Sequence, residues 1–295
     1  MASPYGELPN FDALWNYEQP ATTEQAFLDV LQRTSETAPP AYRWELLTQI
    51  ARTLGLQRRF AEAHATLDQV QEGLKNNELT VPRIRYLLER GRVFNSSGQV
   101  ERSRPLFREA WEVATAHAQD AYAVDAAHML GIVEQADQGI AWNQKALALA
   151  QASEDPQARG WQGSLLNNIG WTYHNAGAYE QALGMFLSAL EAWERDEPDL
   201  ARIARWAVAR ALRSLGRIPE SLARQRDLLQ ALERAGARDG YVHEEIGECL
   251  LLLGRVEEAQ PHFARAFEVL SQDVSLAATE PERLERLRAL ATSGK

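Results

Sequence analysis

The sequence predicts an all-α protein, an α-solenoid of antiparallel helix pairs with a capping helix at each end. Three observations predict it. One pattern recurs six times at intervals of 38 to 41 residues, and in four copies glycine stands in the predicted turn between two helices. Apolar residues within the copies also follow helical spacing. Repeats of this length are typical of solenoids, in which each unit buries its apolar face against its neighbours.

A small residue near the middle of the first predicted helix defines each copy. In chain order this position holds Ala51, Gly91, Met129, Gly170, Ala209 and Gly247. A small residue recurs twelve positions later, at Ala63, Ser103, Ala141, Ala182, Ser221 and Ala259. Four positions further on, four copies carry a large apolar residue, namely Leu67, Phe107, Phe186 and Phe263. The other two copies have Lys145 and Gln225 there. These offsets share one helical face, which predicts that the second helices are amphipathic.

Turn chemistry supports the same division into helix pairs. Four copies place glycine between their two helices, at Gly98, Gly177, Gly216 and Gly254. We expect these glycines to adopt the left-handed conformation, which a side chain disfavours. The third copy is the weakest, because it has Met129 at the small position and no glycine in its turn.

The fourth copy, from Leu165 to Trp193, shows the pattern most clearly. Its residues at the diagnostic positions are Gly170, Tyr173, Gly177, Tyr179, Ala182, Phe186 and Ala189. This run resembles the tetratricopeptide repeat (TPR) family, and the resemblance covers about residues 42–272. It implies a TPR superhelix. Because the period exceeds the 34 residues usual in the family, the chain is similar to the long-repeat type of about 40 residues. That type includes kinesin light chains and bacterial Rap-type peptide receptors.

The predicted organisation is a continuous stack between two ends. Residues 1–41 are expected to form an N-terminal segment and capping helix, and residues 279–292 a C-terminal capping helix. The second begins with a capping-box pattern, in which Thr279 is followed by Pro281 and Glu282. The six helix pairs are expected at about residues 42–77, 82–117, 120–153, 161–195, 200–235 and 239–272.

Composition excludes several classes of function. The net charge of −10 argues against nucleic-acid binding, which needs a basic surface. No apolar run approaches the length of a membrane span, and no secretory signal precedes the repeats. Cys249 is the single cysteine, so it can form no disulfide within the chain, and we expect a small buried residue there. We therefore expect a cytoplasmic protein without nucleic-acid or membrane partners.

The sequence offers little that points to catalysis. It contains no glycine-rich phosphate loop. His243 is followed by two glutamates but by no second histidine four residues later, so the pattern of zinc proteases is incomplete. We expect no catalytic residues, no metal and no cofactor, and hence no enzyme.

The family resemblance implies that the first helices line a concave groove and that certain positions face it. The fourth copy places Asn167, Asn168, Trp171, His174 and Asn175 at these positions. The fifth copy places Trp206, Arg210 and Arg213 there. The first two copies add Arg52, Arg85 and Arg92. We expect these residues to bind a partner.

Among them Asn168 is the strongest candidate, because related receptors often hold an extended peptide backbone with an asparagine at this place. An amide can donate to and accept from a peptide unit. Arg210 and Arg213 are expected to bind an acidic or carboxylate feature, with Trp171 and Trp206 as anchors.

Each of these interpretations has a structural alternative. The two arginines could instead pair with Glu244 and Glu248 of the next copy. Arg85 and Arg92, with Glu89 between them, could form a surface charge ladder, and the tryptophans could pack between adjacent helices.

The function expected from this pattern is that of a scaffold that holds an extended protein or peptide segment in its groove. One alternative is a peptide-sensing regulatory module that acts through a partner. Another is a self-assembling protein, since Phe11, Leu14, Trp15 and Tyr17 form an apolar patch. That patch could dock on its own stack or on a second copy.

Overall fold

The described part of the chain is helical and contains no β-strand. The computed structural model describes residues 5–6, 8–34, 37–75, 78–194 and 197–292. It divides into two compact units, Met1–Gln162 and Gly163–Lys295, called unit 1 and unit 2 below. The predicted all-α fold of consecutive helix pairs is confirmed.

Unit 1 begins with a short 3₁₀ turn at Phe11–Leu14 and continues with α-helices. These are α1 (Pro20–Thr34), α2 (Pro40–Leu56), α3 (Phe60–Leu74), α4 (Thr80–Ser96), α5 (Val100–Ala116), α6 (Asp120–Val133), α7 (Ala136–Ala152) and α8 (Pro156–Gly160). One cluster of buried residues runs from Phe11 to Val133 and forms the core of this unit.

Unit 2 has the same construction. Its helices are α9 (Gln162–Asn175), α10 (Tyr179–Trp193), α11 (Pro198–Ser214), α12 (Ile218–Arg234), α13 (Gly240–Leu252), α14 (Val256–Leu270), α15 (Val274–Thr279) and α16 (Pro281–Thr292). The C-terminal capping helix packs on α14 and buries Leu284 and Leu287. Thr279 ends α15, so Glu280 is the residue before the last helix, not Thr279 as the capping-box pattern predicted.

The small position of the repeat requires a small residue because a large side chain of the second helix fills the space next to it. A Cβ added to Gly170 would lie 2.5 Å from the ring of Phe186, closer than carbon atoms approach. The same holds for Gly91 against Phe107 and for Gly247 against Phe263. In both units, therefore, the two helices of a pair touch where glycine faces phenylalanine sixteen residues later.

The four predicted turn glycines all adopt positive φ, between 72° and 79°, so that prediction is confirmed. In the first pair, Arg58 takes this left-handed conformation instead, with φ 61°. The third pair has no such residue because its turn is shorter: only Glu134 and Gln135, both extended, separate α6 from α7. Its close contact is also displaced, since Gly131 is the glycine that lies against a facing side chain, Asn143.

The apolar patch predicted near the N-terminus lies on its own unit. Phe11 is buried, and its ring contacts those of Phe27 in α1 and Tyr42 in α2. Trp15 is half-buried, whereas Leu14 and Tyr17 remain exposed. Across the described ranges, the helices are too short or too polar for any of them to span a lipid bilayer.

Candidate functional site

The first helices of unit 2 and the last helix surround an open cleft of about 500 Å³. We call it the C-terminal cleft. Its lining residues are Trp171 of α9, Trp206, Arg210 and Arg213 of α11, Glu244, Glu245 and Glu248 of α13, and Glu280, Arg283 and Arg286 at α16. Four of the residues predicted from the sequence to bind a partner therefore lie in one cleft.

Two arginines in this cleft share one buried carboxylate. Arg213 donates two hydrogen bonds to Glu245, from Nε at 2.7 Å and from a terminal nitrogen at 2.9 Å. The Nε atom of Arg210 lies 3.2 Å from the same carboxylate. Glu245 is only 4 % exposed, so its charge is held away from water by these contacts. The arginines thus do pair with the next copy, but through Glu245 and not through Glu244 or Glu248.

The pairing leaves the two arginines in unequal electrostatic states. Burial lowers the pKa of Arg210, the neighbouring charge of Arg213 lowers it further, and Glu245 compensates only in part. Burial also acts against the charge of Arg213, but the hydrogen bonds to Glu245 outweigh it and raise its pKa. Within this group of three side chains, two guanidinium groups face one carboxylate, and Arg210 is the less compensated of the two.

The two tryptophans of the cleft are half-buried and in contact with each other. Their ring centroids lie 5.8 Å apart, and Trp171 also packs on Phe186 of its own helix pair at 5.0 Å. The indole nitrogen of Trp206 donates a hydrogen bond of 3.2 Å to the backbone carbonyl of Tyr241 in α13. These residues therefore pack between adjacent first helices and also border the cleft.

The other predicted residues of α9 are divided between the interior and the surface. His174 is buried, and its ring nitrogen lies 2.9 Å from the hydroxyl of Ser214. Burial and the charges of Arg210 and Arg213 lower its pKa, so the imidazole is neutral at pH 7. Asn175 is exposed.

Two neighbouring asparagines complete the predicted set in this helix. Asn167 and Asn168 are half-buried. The side-chain oxygen of Asn167 is buried and accepts no hydrogen bond from the described residues. Neither side chain is among those that line the C-terminal cleft.

Sequence reasoning missed Glu245 and the arginines of α16. Arg283 donates to Glu244 at 2.6 Å, and Arg286 forms an ion pair with Glu248. The spacing of these pairs, 39 and 38 residues, is one repeat length. Opposite charges one repeat apart are therefore the pattern that could have found Arg283 and Arg286, whereas Glu245 lies 32 residues from Arg213 and does not follow it.

The arginines predicted in unit 1 are also engaged within the chain. Glu89 is 3 % exposed and pairs with Arg52 at 3.1 Å and with Arg92 at 2.7 Å. Arg92 has a second partner, Asp125 of α6. Arg85 does not join Glu89 in a charge ladder, because its guanidinium turns toward Asp12 and Glu45.

Comparisons with known proteins agree with this construction. Residues 163–195 match the family model described as tetratricopeptide repeat. Solved structures with a similar fold include the apo form of RapI, with TM-score 0.76, 12% identity, and coverage of 96% of this chain and 80% of that one. The apo form of the quorum sensor NprR from B. thuringiensis has TM-score 0.68 and 15% identity, with 96% and 80% of the two chains covered.

A third similar structure is a signal transduction ATPase with numerous domains from Pyrococcus horikoshii, which carries a tetratricopeptide repeat sensor. Its TM-score is 0.72 at 11% identity, over 92% of this chain. The chain spans 42% of the length of that protein. The comparison with curated protein sequences gave no match. The fold is that of a tetratricopeptide-repeat protein.

Proposed function

We propose that this tetratricopeptide-repeat chain is a protein- or peptide-binding scaffold that holds an extended partner segment in its C-terminal cleft. One observation carries the proposal: Arg210 and Arg213 share a single buried carboxylate beside the half-buried rings of Trp171 and Trp206. The cleft is lined by four arginines and four glutamates, and it places the incompletely compensated guanidinium of Arg210 next to apolar surface. Interfaces concentrate binding energy in arginine and tryptophan residues of this kind.

The electrostatics favour a partner with a carboxylate. Because Arg210 is desolvated without full compensation, a second carboxylate near it would stabilise its charge. Its guanidinium already donates to the hydroxyl of Ser214 at 2.8 Å, a contact that a partner carboxylate can replace. A guanidinium can bind a carboxylate through two parallel hydrogen bonds, which gives direction as well as affinity.

The flanking ion pairs limit what else can bind. Glu244 and Glu248 each pair with an arginine of α16, and Arg283 also pairs with Glu280, so this part of the cleft carries one negative charge in excess. A segment with many acids would meet these glutamates. We therefore propose a partner segment with one carboxylate that reaches Arg210 and an apolar side chain that packs on Trp206.

A peptide-sensing module that acts through a partner is the second candidate, and the comparisons favour it. NprR is a quorum sensor, and the ATPase from Pyrococcus horikoshii carries its repeats as a sensor. Scattering of the chain with and without a bound peptide distinguishes the two functions. A scaffold keeps its radius of gyration, and a sensor changes it.

The first test uses a random peptide display library selected against the full chain. We expect enriched peptides to contain an acid near an apolar residue, and to bind Arg210→Ala and Trp206→Ala at least about tenfold more weakly than the wild type. Arg234→Ala is the matched control, because this exposed arginine lies at the end of α12, outside the cleft. Equal affinity of the enriched peptides for wild type and Arg210→Ala, with both chains folded by circular dichroism, would overturn the proposal.

A further inference from the structure

In unit 1 a short segment before the first helix lies across the inner helices. This segment, residues 8–17, contacts Tyr42, Gln49 and Arg52 on one face of α2 and Arg85 of α4. Glu45 lies on the same face of α2 and pairs with Arg85. We call these five residues the N-terminal cleft. The four residues of α2 recur at three- and four-residue spacing, so they form a single stripe along the helix.

The backbone and the first aromatic ring of the segment are both recognised. The hydroxyl of Tyr42 donates a hydrogen bond of 2.9 Å to the carbonyl of Pro9. Phe11 inserts its ring at 5.2 Å from the ring of Tyr42 and at 6.4 Å from that of Phe27, and it is 4 % exposed. Burial of this ring removes apolar surface from water and so stabilises the contact.

The acid of the segment binds an arginine that Glu45 also contacts from inside the unit, with its carboxylate 3.2 Å from the Nε atom of Arg85. Asp12 accepts from Arg85 at 3.0 Å, while the same guanidinium lies 5.5 Å above the ring of Phe11. The side chain of Asp12 is 46% exposed, and that of Arg85 only 11%. The arginine is therefore a fixed part of the cleft, and the carboxylate reaches it from outside.

The second half of the segment is held by an indole. Trp15 donates through its ring nitrogen to the side-chain oxygen of Gln49 at 3.1 Å. Its ring stacks on Tyr17, and the guanidinium of Arg52 lies 5.6 Å from one ring and 5.4 Å from the other. Tyr17 is 58% exposed, so the stack is covered by the unit on one side only.

We propose that the N-terminal cleft is a binding site for a partner segment with the pattern aromatic–Asp–x–x–Trp, and that residues 8–17 occupy it when the partner is absent. Phe11, Asp12 and Trp15 of that pattern each contact the cleft through their side chains, and the regular structure of the segment is limited to the 3₁₀ turn Phe11–Leu14. The charges are complementary, since the occupant presents Asp12 to Arg85 and aromatic faces to Arg52. This surface is in unit 1 and is independent of the function proposed for unit 2.

The test uses a fluorescent synthetic peptide of residues 8–17 and the full-length chain. In the double variant Asp12→Ala, Trp15→Ala the internal segment loses two of its contacts, so the cleft is open for a larger fraction of the time. The apparent affinity of the cleft for the peptide falls in proportion to the fraction of molecules in which the cleft is open. We therefore expect the peptide to bind the double variant at least about tenfold more tightly than the wild type in an anisotropy titration.

Three controls accompany this titration. Glu18→Ala removes an exposed acid of the same region that forms no ion pair among the described residues, and it should bind the peptide as weakly as the wild type. A peptide with Asn in place of Asp12 should bind the double variant more weakly than the original peptide. Asp12→Ala alone replaces an exposed side chain, and this single variant takes the place of the double variant in the titration if the double variant does not fold.

Two outcomes overturn the proposal. Peptide binding that is no tighter for a folded open-cleft variant than for the wild type would make the segment a permanent part of the fold. A wild type that is dimeric by light scattering, with a monomeric double variant, would instead assign the cleft to the segment of a second copy.

Discussion

The inner helices of the two units use the same arrangement with different outcomes. In unit 1 the buried carboxylate of Glu89 lies between Arg52 and Arg92, and in unit 2 that of Glu245 lies between Arg210 and Arg213. Both glutamates stand two residues before the glycine that faces phenylalanine.

The difference lies in the remaining partners of the arginines. Arg92 has a second carboxylate, Asp125, and Arg52 has the rings of Trp15 and Tyr17. Among the residues that the structure describes, Arg210 has a share of Glu245 and the hydroxyl of Ser214. The comparison teaches that the repeat supplies a common ion cluster, and that the surroundings decide whether charge remains for a partner.

The largest expected effect comes from removing the shared carboxylate of unit 2. Glu245→Gln leaves Arg210 and Arg213 partly desolvated without a counter-charge, which should lower the free energy of unfolding by about 2–4 kcal/mol. Glu89→Gln should cost about 1 kcal/mol less, because Arg92 keeps Asp125. Urea unfolding followed by circular dichroism measures both. Equal losses would mean that the two clusters are electrostatically equivalent.

A second prediction tests whether the packing beneath the two clusters is the same. Gly91→Ala and Gly247→Ala each place a Cβ within 2.8 Å of a phenylalanine ring, and each should lower the free energy of unfolding by about 1–3 kcal/mol. Gly184→Ala is the matched control. This helical glycine has nothing within 4 Å of the added atom, so the change should stabilise by about 0.5–1 kcal/mol.

If either Gly91 or Gly247 tolerates alanine as Gly184 does, the two helices of that pair must separate more easily than those of the other pair. Thermal melting of the three variants gives an independent measurement of the order of their stabilities.

The smallest expected effect concerns the influence of the Arg210 charge on the pKa of His174. His174 has a lowered pKa because of burial and because Arg210 and Arg213 lie near it. Arg210→Ala should move that pKa upward toward about 6.5, and Arg234→Ala should not. An NMR titration of the imidazole proton follows this directly. An unchanged pKa in Arg210→Ala would show that the charge of Arg210 is already neutralised by Glu245.

The lowered pKa of His174 also makes the free energy of unfolding depend on pH. Since its folded pKa lies below its unfolded pKa, the unfolded chain binds more protons as the pH falls below about 6.5. The stability that neutral His174 contributes is therefore present above that pH and lost on acidification. Arg210→Ala should reduce this loss.

The sequence could predict the features that depend on one helix pair. Glycine at Gly170 with phenylalanine at Phe186, and glycine in the following turn, follow from the space between two helices that are joined by a short turn. Features that depend on three helices could not be predicted in the same way. The partner of Arg213 is Glu245 because of the rotation between successive pairs, and that rotation is not visible in residue spacing.

The N-terminal patch shows the same limit. Its composition predicted that Phe11 and Trp15 would dock on an apolar surface, either of their own stack or of a second copy. The contacts of Asp12 with Arg85, 73 residues away in the chain, could not be read from spacing because no regular element connects them.

The match between glycine and phenylalanine has a consequence for how such a chain can grow or be recombined. In each of the three pairs both residues belong to the same pair, so a duplicated pair carries its fit with it. Exchange of a single helix between pairs would bring the glycine of one copy opposite Gln225 or Asn143 of another and leave a gap or a buried polar group. The unit that can be duplicated or exchanged with its packing intact is therefore the helix pair, and the boundaries of that unit lie in the loops between pairs.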